Sequence, residues 1–208
     1  MQLPLSHIWE PAPFASKDLV VVLHGRGDSA HGFTWLQEEL GIDSLNFLLL
    51  NAPIPYYTGF SWYDLPPRQL SGIIESRKLL ERVFKKLPEN GYAPERTFLF
   101  GFSQGCLLTL EFGARFGHRL AGYIGISGYC HDPDALLKEM NPDVNKGDWL
   151  ITHGTEDEML SVERTRGQIR QLIGGGFAID YREYVKSHTI DPERELPEIR
   201  EWMKRRIS

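Results

Sequence analysis

Strand-like and helix-like patterns alternate along this chain, and that alternation restricts the fold more than any other feature. Strand patterns lie at 18–25, 45–53, 97–102, 121–127, 149–153 and 178–185, and the apolar runs at 18–25 and 45–53 are typical of strands buried on both faces. Helical spacing of apolar residues occurs around 34–40, at 71–87, from 104, at 161–173 and from 192. Such alternation predicts an α/β fold, in which a mostly parallel sheet has helices on both faces and right-handed crossovers. We therefore expect functional residues at the carboxyl ends of the strands.

Length and composition fit one globular domain. The 208 residues are 41% hydrophobic and 25% charged, which is enough apolar material for one sizeable core. There is no internal repeat and no low-complexity linker, so we predict a single domain over residues 1–208. Only residues 129–148 separate two of the later strands, and this segment is too short for a large lid domain.

Charge, hydropathy and cysteine content do not favour nucleic-acid binding, membrane insertion or metal binding. A net charge of −5 gives no reason to expect nucleic acid as a partner, and the basic residues 204–206 fit the end of a helix. Residues 1–7 lack the features of a signal peptide, and no apolar run reaches membrane-spanning length. We expect a cytoplasmic protein without stable membrane insertion. Cys106 and Cys130 are the only cysteines, and no Cys/His cluster predicts a metal or other cofactor.

One serine stands between two glycines where a strand pattern changes to a helical one. The segment is "GFSQG", with Ser103 at its centre. A sharp strand-to-helix turn would expose this hydroxyl, and the N–H of Gln104 at the helix start could face a developing oxyanion. The alternative is a glycine-rich turn with a helix-capping serine. The motif alone does not decide between a nucleophile and a cap.

The loop after the first long apolar strand is a second candidate element. It reads "LHGRGDS", and its His-Gly turn could present the N–H of Arg26 as another oxyanion donor. Residues 26–28 also spell an adhesion tripeptide, which we interpret as coincidence because they follow a buried strand. His24 lies inside this loop, so we expect it to shape the turn by hydrogen bonding rather than to act as a base.

A nucleophilic serine requires a histidine to accept its proton and a carboxylate to orient that histidine. Both are expected after the serine, the acid first. Asp157, flanked by Glu156 and Glu158, follows the strand at 149–153, although three adjacent acids are also typical of a solvated loop. His188 is the only one of the seven histidines that follows both the serine and the acidic loop.

Motifs along residues 18–207 resemble one family. They are "LHGRGDSAHGF", "NAP", "SWYDLP", "GFSQG", "HGTEDEML" and "SHTI", and together they resemble the carboxylesterase/phospholipase branch of the α/β-hydrolases, which includes acyl-protein thioesterases. The resemblance implies an α/β-hydrolase fold, with Ser103 as nucleophile, Asp157 rather than its glutamate neighbours as acid, and His188 as base. It implies the N–H groups of Arg26 and Gln104 as the oxyanion hole, and it allows a homodimer.

The chain departs from the family pattern at several positions. The family usually has leucine at Arg26, Val-Pro at Leu160-Ser161 and glycine at Ser187. None of these changes removes a reactive group. Arg26 would place a guanidinium near the substrate entrance, which does not favour long apolar acyl chains.

Three functions follow as hypotheses. The first is a serine carboxylesterase that cleaves short or medium acyl esters through an acyl-enzyme. The second is an acyl-protein thioesterase or lysophospholipase for long acyl chains, whose substrate would be an acylated protein or a lysolipid. The third is a non-catalytic binding module, which the presence of all three triad residues argues against.

The segment 54–67 is rich in aromatic residues and follows a strand. Tyr56, Tyr57, Trp62 and Tyr63 are candidates for the walls of a substrate pocket. The alternative is that these side chains pack the loop onto the body of the protein.

Overall fold

The computed structural model describes residues 1–144 and 146–207. The strands are β1 (His7–Glu10), β2 (Asp18–Leu23), β3 (Leu45–Leu50), β4 (Ile54–Tyr56), β5 (Gly59–Ser61), β6 (Thr97–Phe102), β7 (Gly122–Ile126), β8 (Trp149–Gly154) and β9 (Ile179–Tyr184). The α-helices are α1 (Leu36–Leu40), α2 (Gln69–Lys86), α3 (Gln104–Gly113), α4 (Pro133–Glu139), α5 (Val162–Gly174) and α6 (Glu195–Lys204).

Seven of the strands form one sheet in the order β1-β3-β2-β6-β7-β8-β9. Every pair in it is parallel except β1 with β3. The inner parallel strands are mostly apolar and buried on both faces, as residues Asp18–Leu23 of β2 illustrate, whereas the edge strand β9 is only partly buried. The expected mostly parallel sheet is confirmed.

Helices cover both faces of the sheet, because alternate residues of each strand point to opposite sides. Val21 of β2 packs in one apolar cluster with residues of α2, α3 and α5, whereas Val20 packs in a second cluster with residues of α1 and α6. No helix among residues 1–144 and 146–207 combines the length and apolar character needed to cross a membrane.

Several elements were not expected from the sequence. The edge strand β1 was not predicted because its sequence, HIWE, contains no apolar run. All four of its residues are half-buried. The aromatic segment contains the hairpin β4–β5, whose strands have only three residues each. Helix α4 also went unpredicted, although Asp132 caps it by accepting a hydrogen bond from the N–H of Ala135. The last helix begins at Glu195 rather than at 192.

Candidate active site

Ser103 lies on a sharp turn between β6 and α3. Its backbone adopts φ 54° and ψ −112°, a conformation that residues with a Cβ rarely occupy. The turn is fixed on both sides, because the N–H of Ser103 donates to the carbonyl of Ile126 and its own carbonyl accepts from the N–H of Leu107. These bonds hold the serine at the carboxyl end of a central strand.

The glycines flanking Ser103 are required by close backbone contacts. A Cβ at Gly101 would overlap the carbonyl oxygen of Gly105, and a Cβ at Gly105 would overlap that of Leu23. Helix α3 therefore starts directly against β2 and β6. This explains the sequence pattern around the serine in terms of packing.

Three side chains from different loops form a continuous hydrogen-bonded chain. His188, in the loop after β9, has its Nε2 2.9 Å from Oγ of Ser103. Its Nδ1 is 2.7 Å from Oδ2 of Asp157, which follows β8. The Asp157 side chain is fully buried, while that of His188 is partly exposed. The arrangement can transfer a proton from the serine hydroxyl to the imidazole while the carboxylate orients the ring.

The surroundings of Asp157 favour its charged form. Its Oδ1 accepts hydrogen bonds from the N–H groups of Met159 and Leu160, both at 2.9 Å. Burial raises the pKa of Asp157, but the hydrogen bonds from His188 and Leu160 outweigh it, so the pKa lies below the ordinary value. Glu156 and Glu158 are exposed and do not join this chain of hydrogen bonds.

A second histidine also contacts the carboxylate. Nε2 of His153 is 3.4 Å from Oδ2 of Asp157 and 3.0 Å from the carbonyl of Leu160. Burial lowers the pKa of His153, although the hydrogen bond to Leu160 and the charge of Asp157 oppose that shift. A neutral His153 that donates from Nε2 holds the Asp157 loop in place through these two contacts.

Two backbone N–H groups near Ser103 have no internal acceptor. Within residues 1–144 and 146–207, neither Arg26 nor Gln104 donates its N–H to another residue. Gln104 begins α3, where the first N–H groups have no helical partner. The Arg26 loop passes close by, since a Cβ built on Gly25 would lie 3.4 Å from Cβ of Ser103. Free donors on both sides of the serine can stabilise an oxyanion.

His24 forms hydrogen bonds that hold this loop in place. The residue is buried, and its Nε2 accepts a hydrogen bond from the N–H of Ala52 at 3.1 Å. Its carbonyl accepts a hydrogen bond from Nε1 of Trp62 at 2.9 Å. Burial lowers the pKa of His24, and the neutral ring matches its role as acceptor. His24 therefore shapes the turn by hydrogen bonding, as the sequence predicts.

An open cleft of about 470 Å³ lies over the serine. Its walls are mostly apolar or glycine, and the guanidinium of Arg26 lies over the ring of Tyr56, 4.3 Å from its centroid. The lining residues are Gly25, Arg26, Gly27, Asp28, Tyr56, Phe102, Ser103, Met159 and His188. Of the four aromatic residues proposed as pocket walls, the structure brings Tyr56 alone to this cleft.

The other three aromatic residues lie elsewhere, which corrects the expectation. Trp62 and Tyr63 are at most 1% exposed and belong to the core under α2, so neither can line an open cleft. Tyr57 is 91% exposed and packs edge-on against Tyr56, outside the cleft lining. For Trp62 and Tyr63 the alternative interpretation, packing of the segment onto the body, is correct.

The side chain of Gln104 anchors that segment and was not anticipated. Its Oε1 accepts hydrogen bonds from Oγ of Ser61 and the N–H of Trp62, and its Nε2 donates to the carbonyl of Tyr63. The side chain is buried. The residue that offers its N–H beside Ser103 thus also ties the aromatic segment to α3.

A buried ion pair supports the loop that carries His188. Nζ of Lys186 lies 2.6 Å from Oε2 of Glu195 and also donates to the carbonyl of Thr189 at 2.7 Å. The same Glu195 oxygen accepts the N–H of Asp191 at 2.9 Å. One carboxylate at the start of α6 therefore binds both sides of the histidine loop. Sequence reasoning missed this clamp, since a lysine and a glutamate nine positions apart are not a recognisable pair.

Comparisons with known proteins agree with this fold. Residues 8–205 match the family model described as Phospholipase/Carboxylesterase. Acyl-protein thioesterase 1 of Yarrowia lipolytica is 32% identical over 167 residues, which cover 72% of this chain and 74% of the relative. Carboxylesterase SOBER1 of Arabidopsis thaliana is 26% identical over 210 residues, 92% of each chain.

Solved structures give the same result. The crystal structure of esterase PE8 has a TM-score of 0.88 at 26% identity and covers 98% of this chain and 99% of its own. The crystal structure of Arabidopsis thaliana SOBER1 has a TM-score of 0.82 at 26% identity, with 91% and 98% covered. The family match over almost the whole length, together with these likenesses, shows that this chain belongs to the phospholipase/carboxylesterase family of hydrolases and has the α/β-hydrolase fold.

Proposed function

We propose that the protein is a serine carboxylesterase that cleaves carboxylic esters of short or medium acyl chains through an acyl-enzyme. The observation that carries the proposal is the hydrogen-bonded chain from Ser103 through His188 to Asp157, with the serine on a strained turn that lines an open cleft. Geometry of this kind is the requirement for an activated hydroxyl nucleophile.

The reaction would proceed in two halves. Oγ of Ser103 attacks the ester carbonyl while Nε2 of His188 takes the hydroxyl proton, and the carbonyl oxygen becomes an oxyanion held by the N–H groups of Arg26 and Gln104. His188 then protonates the departing alcohol, which leaves an acyl-serine. Water, deprotonated by the same histidine, attacks the acyl group; the bond between the acyl carbon and Oγ of Ser103 breaks, His188 returns the proton to Oγ, and the acid is released. Asp157 orients the ring and stabilises its charged form throughout.

A second candidate is an enzyme for long acyl chains on proteins or lipids. The relatives named acyl-protein thioesterase favour it, including the one that is 32% identical. The shape of the site favours the first candidate, because the aromatic side chains that could have formed a deep acyl pocket, Trp62 and Tyr63, lie in the core. A binding module without activity would not need the hydrogen-bonded triad.

The test is steady-state hydrolysis of p-nitrophenyl esters from acetate to palmitate, with Ser103→Ala as the blank. The proposal expects the highest kcat/KM for short and medium chains. Activity that rises beyond about eight carbons, or that appears only with thioesters, would favour the second candidate. Absence of both hydrolysis and labelling by a fluorophosphonate probe would leave the binding module.

We also propose a cytoplasmic enzyme of one domain that works without a cofactor on small esters or thioesters. Cell fractionation tests the location, and activity that survives dialysis against a chelator tests the cofactor. Light scattering distinguishes a monomer from the homodimer that the family resemblance allows.

A further inference from the structure

Arg26 carries an exposed charge at the mouth of the active-site cleft. Its guanidinium lies 4.3 Å from the centroid of the Tyr56 ring, and no carboxylate of residues 1–144 and 146–207 forms an ion pair with it. Stacking on an aromatic ring restricts the guanidinium to one region of the cleft while its N–H edges stay free to donate. A fixed, unpaired cation beside the serine is suited to bind an anion.

The other charged residue of the cleft is already engaged. Oδ1 of Asp28 accepts the N–H of Ser29 at 2.7 Å, and its carboxylate packs against Gly32 in the short 3-10 turn Ala30–Phe33. Apart from these two residues, the cleft lining contains no carboxylate, lysine or arginine. The protein carries a net charge of −5, so its overall field does not attract anions and any preference for them has to arise locally.

We propose that the cleft selects substrates that bear an oxyanionic group, such as a carboxylate, near the scissile bond, and that the guanidinium of Arg26 binds this group. The inference rests on the proposed esterase function and names its substrate class. The backbone of Arg26 lies beside Ser103, and its side chain extends along the Tyr56 wall. The N–H of Arg26 would therefore bind the oxygen of the reacting carbonyl, while its guanidinium would bind the oxyanionic group of the same substrate. An anion bound there also holds the ester in the cleft during attack.

The test uses matched pairs of esters. p-Nitrophenyl hydrogen adipate is compared with p-nitrophenyl hexanoate, which has the same chain length without the carboxylate. A second pair, hexanoate esters of phenol with and without a para-carboxylate, places the anion on the leaving group. The two pairs distinguish recognition on the acyl side from recognition on the alcohol side. The measured quantity is the ratio of kcat/KM for the anionic ester to that for its neutral partner.

Variants assign the ratio to Arg26. Arg26→Gln removes the charge, and Arg26→Lys keeps it on a side chain that lacks the planar fork. Since the backbone N–H of Arg26 belongs to the proposed oxyanion hole, any general loss of activity cancels in the ratio. Arg82→Gln is the matched control, because Arg82 is exposed on α2 and lies outside the cleft. Circular dichroism and a melting curve establish that each variant is folded.

We expect Arg26→Gln to lower the ratio for at least one pair by about threefold to tenfold, the range for a single charged hydrogen bond at a partly exposed site. Arg26→Lys should fall between, Arg82→Gln should match the wild type, and added salt should lower the wild-type ratio. A ratio unchanged in Arg26→Gln for both pairs, with neutral esters still cleaved, overturns the inference but not the esterase. If no ester is cleaved, the proposed function fails and the inference fails with it.

Discussion

Ser103 is held in a backbone conformation that favours glycine. Its φ of 54° costs on the order of 1–2 kcal/mol for a residue with a Cβ. We expect Ser103→Gly to be more stable than Ser103→Ala by about 1 kcal/mol, because glycine relieves the strain and alanine retains it. Thermal or urea unfolding of the two variants measures this difference. Equal stability would mean that the turn has relaxed without the serine.

The carboxylate of Asp157 links stability to pH. Its pKa in the folded protein lies below the ordinary value of 3.8, so the ionised form is favoured by folding. The stabilisation is fully present above that ordinary value and is lost as the pH falls through the folded pKa. We expect the wild type to lose stability relative to Asp157→Asn as the pH decreases below about 4. Urea unfolding at several pH values checks this, and a difference that stays constant would contradict it.

Gln104 has separate roles for its backbone and its side chain. Gln104→Ala keeps the N–H beside Ser103 but leaves buried partners in the Ser61–Tyr63 segment unsatisfied, at a cost of about 1–3 kcal/mol. We expect a clear loss of stability with kcat reduced by less than about tenfold, far less than in Ser103→Ala. Gln168→Ala, which removes hydrogen bonds to the backbone of Cys130, is the matched control. A kcat as low as that of Ser103→Ala would contradict the backbone role.

Ser103 and His188 could be placed from the sequence by strand end and chain order, whereas the choice of Asp157 over its glutamate neighbours required the family resemblance. All three residues follow strands of the parallel part of the sheet, and parallel strands bring their carboxyl ends to one edge of the sheet. Trp62 could not be placed, because an aromatic loop does not reveal which side faces the core. The clamp at Lys186 was equally hidden, since it exists only once the loop has folded onto α6.

At the scale of elements, the connection between β9 and α6 depends on the buried pair of Lys186 and Glu195. Burial lowers the pKa of Lys186, and the charge of Glu195 opposes that shift. We expect Lys186→Met to destabilise the protein by about 3–5 kcal/mol, because it leaves a buried carboxylate without its cation. The double variant Lys186→Met/Glu195→Leu should recover part of that loss. Urea unfolding of both variants provides the measurement, and a single variant as stable as the double one would contradict the prediction.

At the scale of the whole molecule, helices cover both faces of the sheet, so a second sheet could pair with it only at an edge. β9 is an edge strand, since it pairs only with β8 among the strands of residues 1–144 and 146–207. Its charged side chains are engaged with one another and with neighbours. Arg182 pairs with Asp180 and Glu198, and Glu183 pairs with Arg166. Charges on an edge strand oppose pairing with a second sheet.

This edge yields a prediction about assembly. We expect Asp180→Thr/Arg182→Thr to form larger assemblies at concentrations where the wild type does not. The variant leaves Glu183 as the one charged residue of β9, and an edge strand with fewer charges and more β-branched residues can extend the sheet more easily. Glu75→Gln/Lys78→Gln removes an exposed ion pair from α2 and serves as the control. Light scattering over a concentration series should show larger species for the edge variant alone. If both variants behave as the wild type does, the helices and loops beside β9, rather than its charges, keep the edge from pairing.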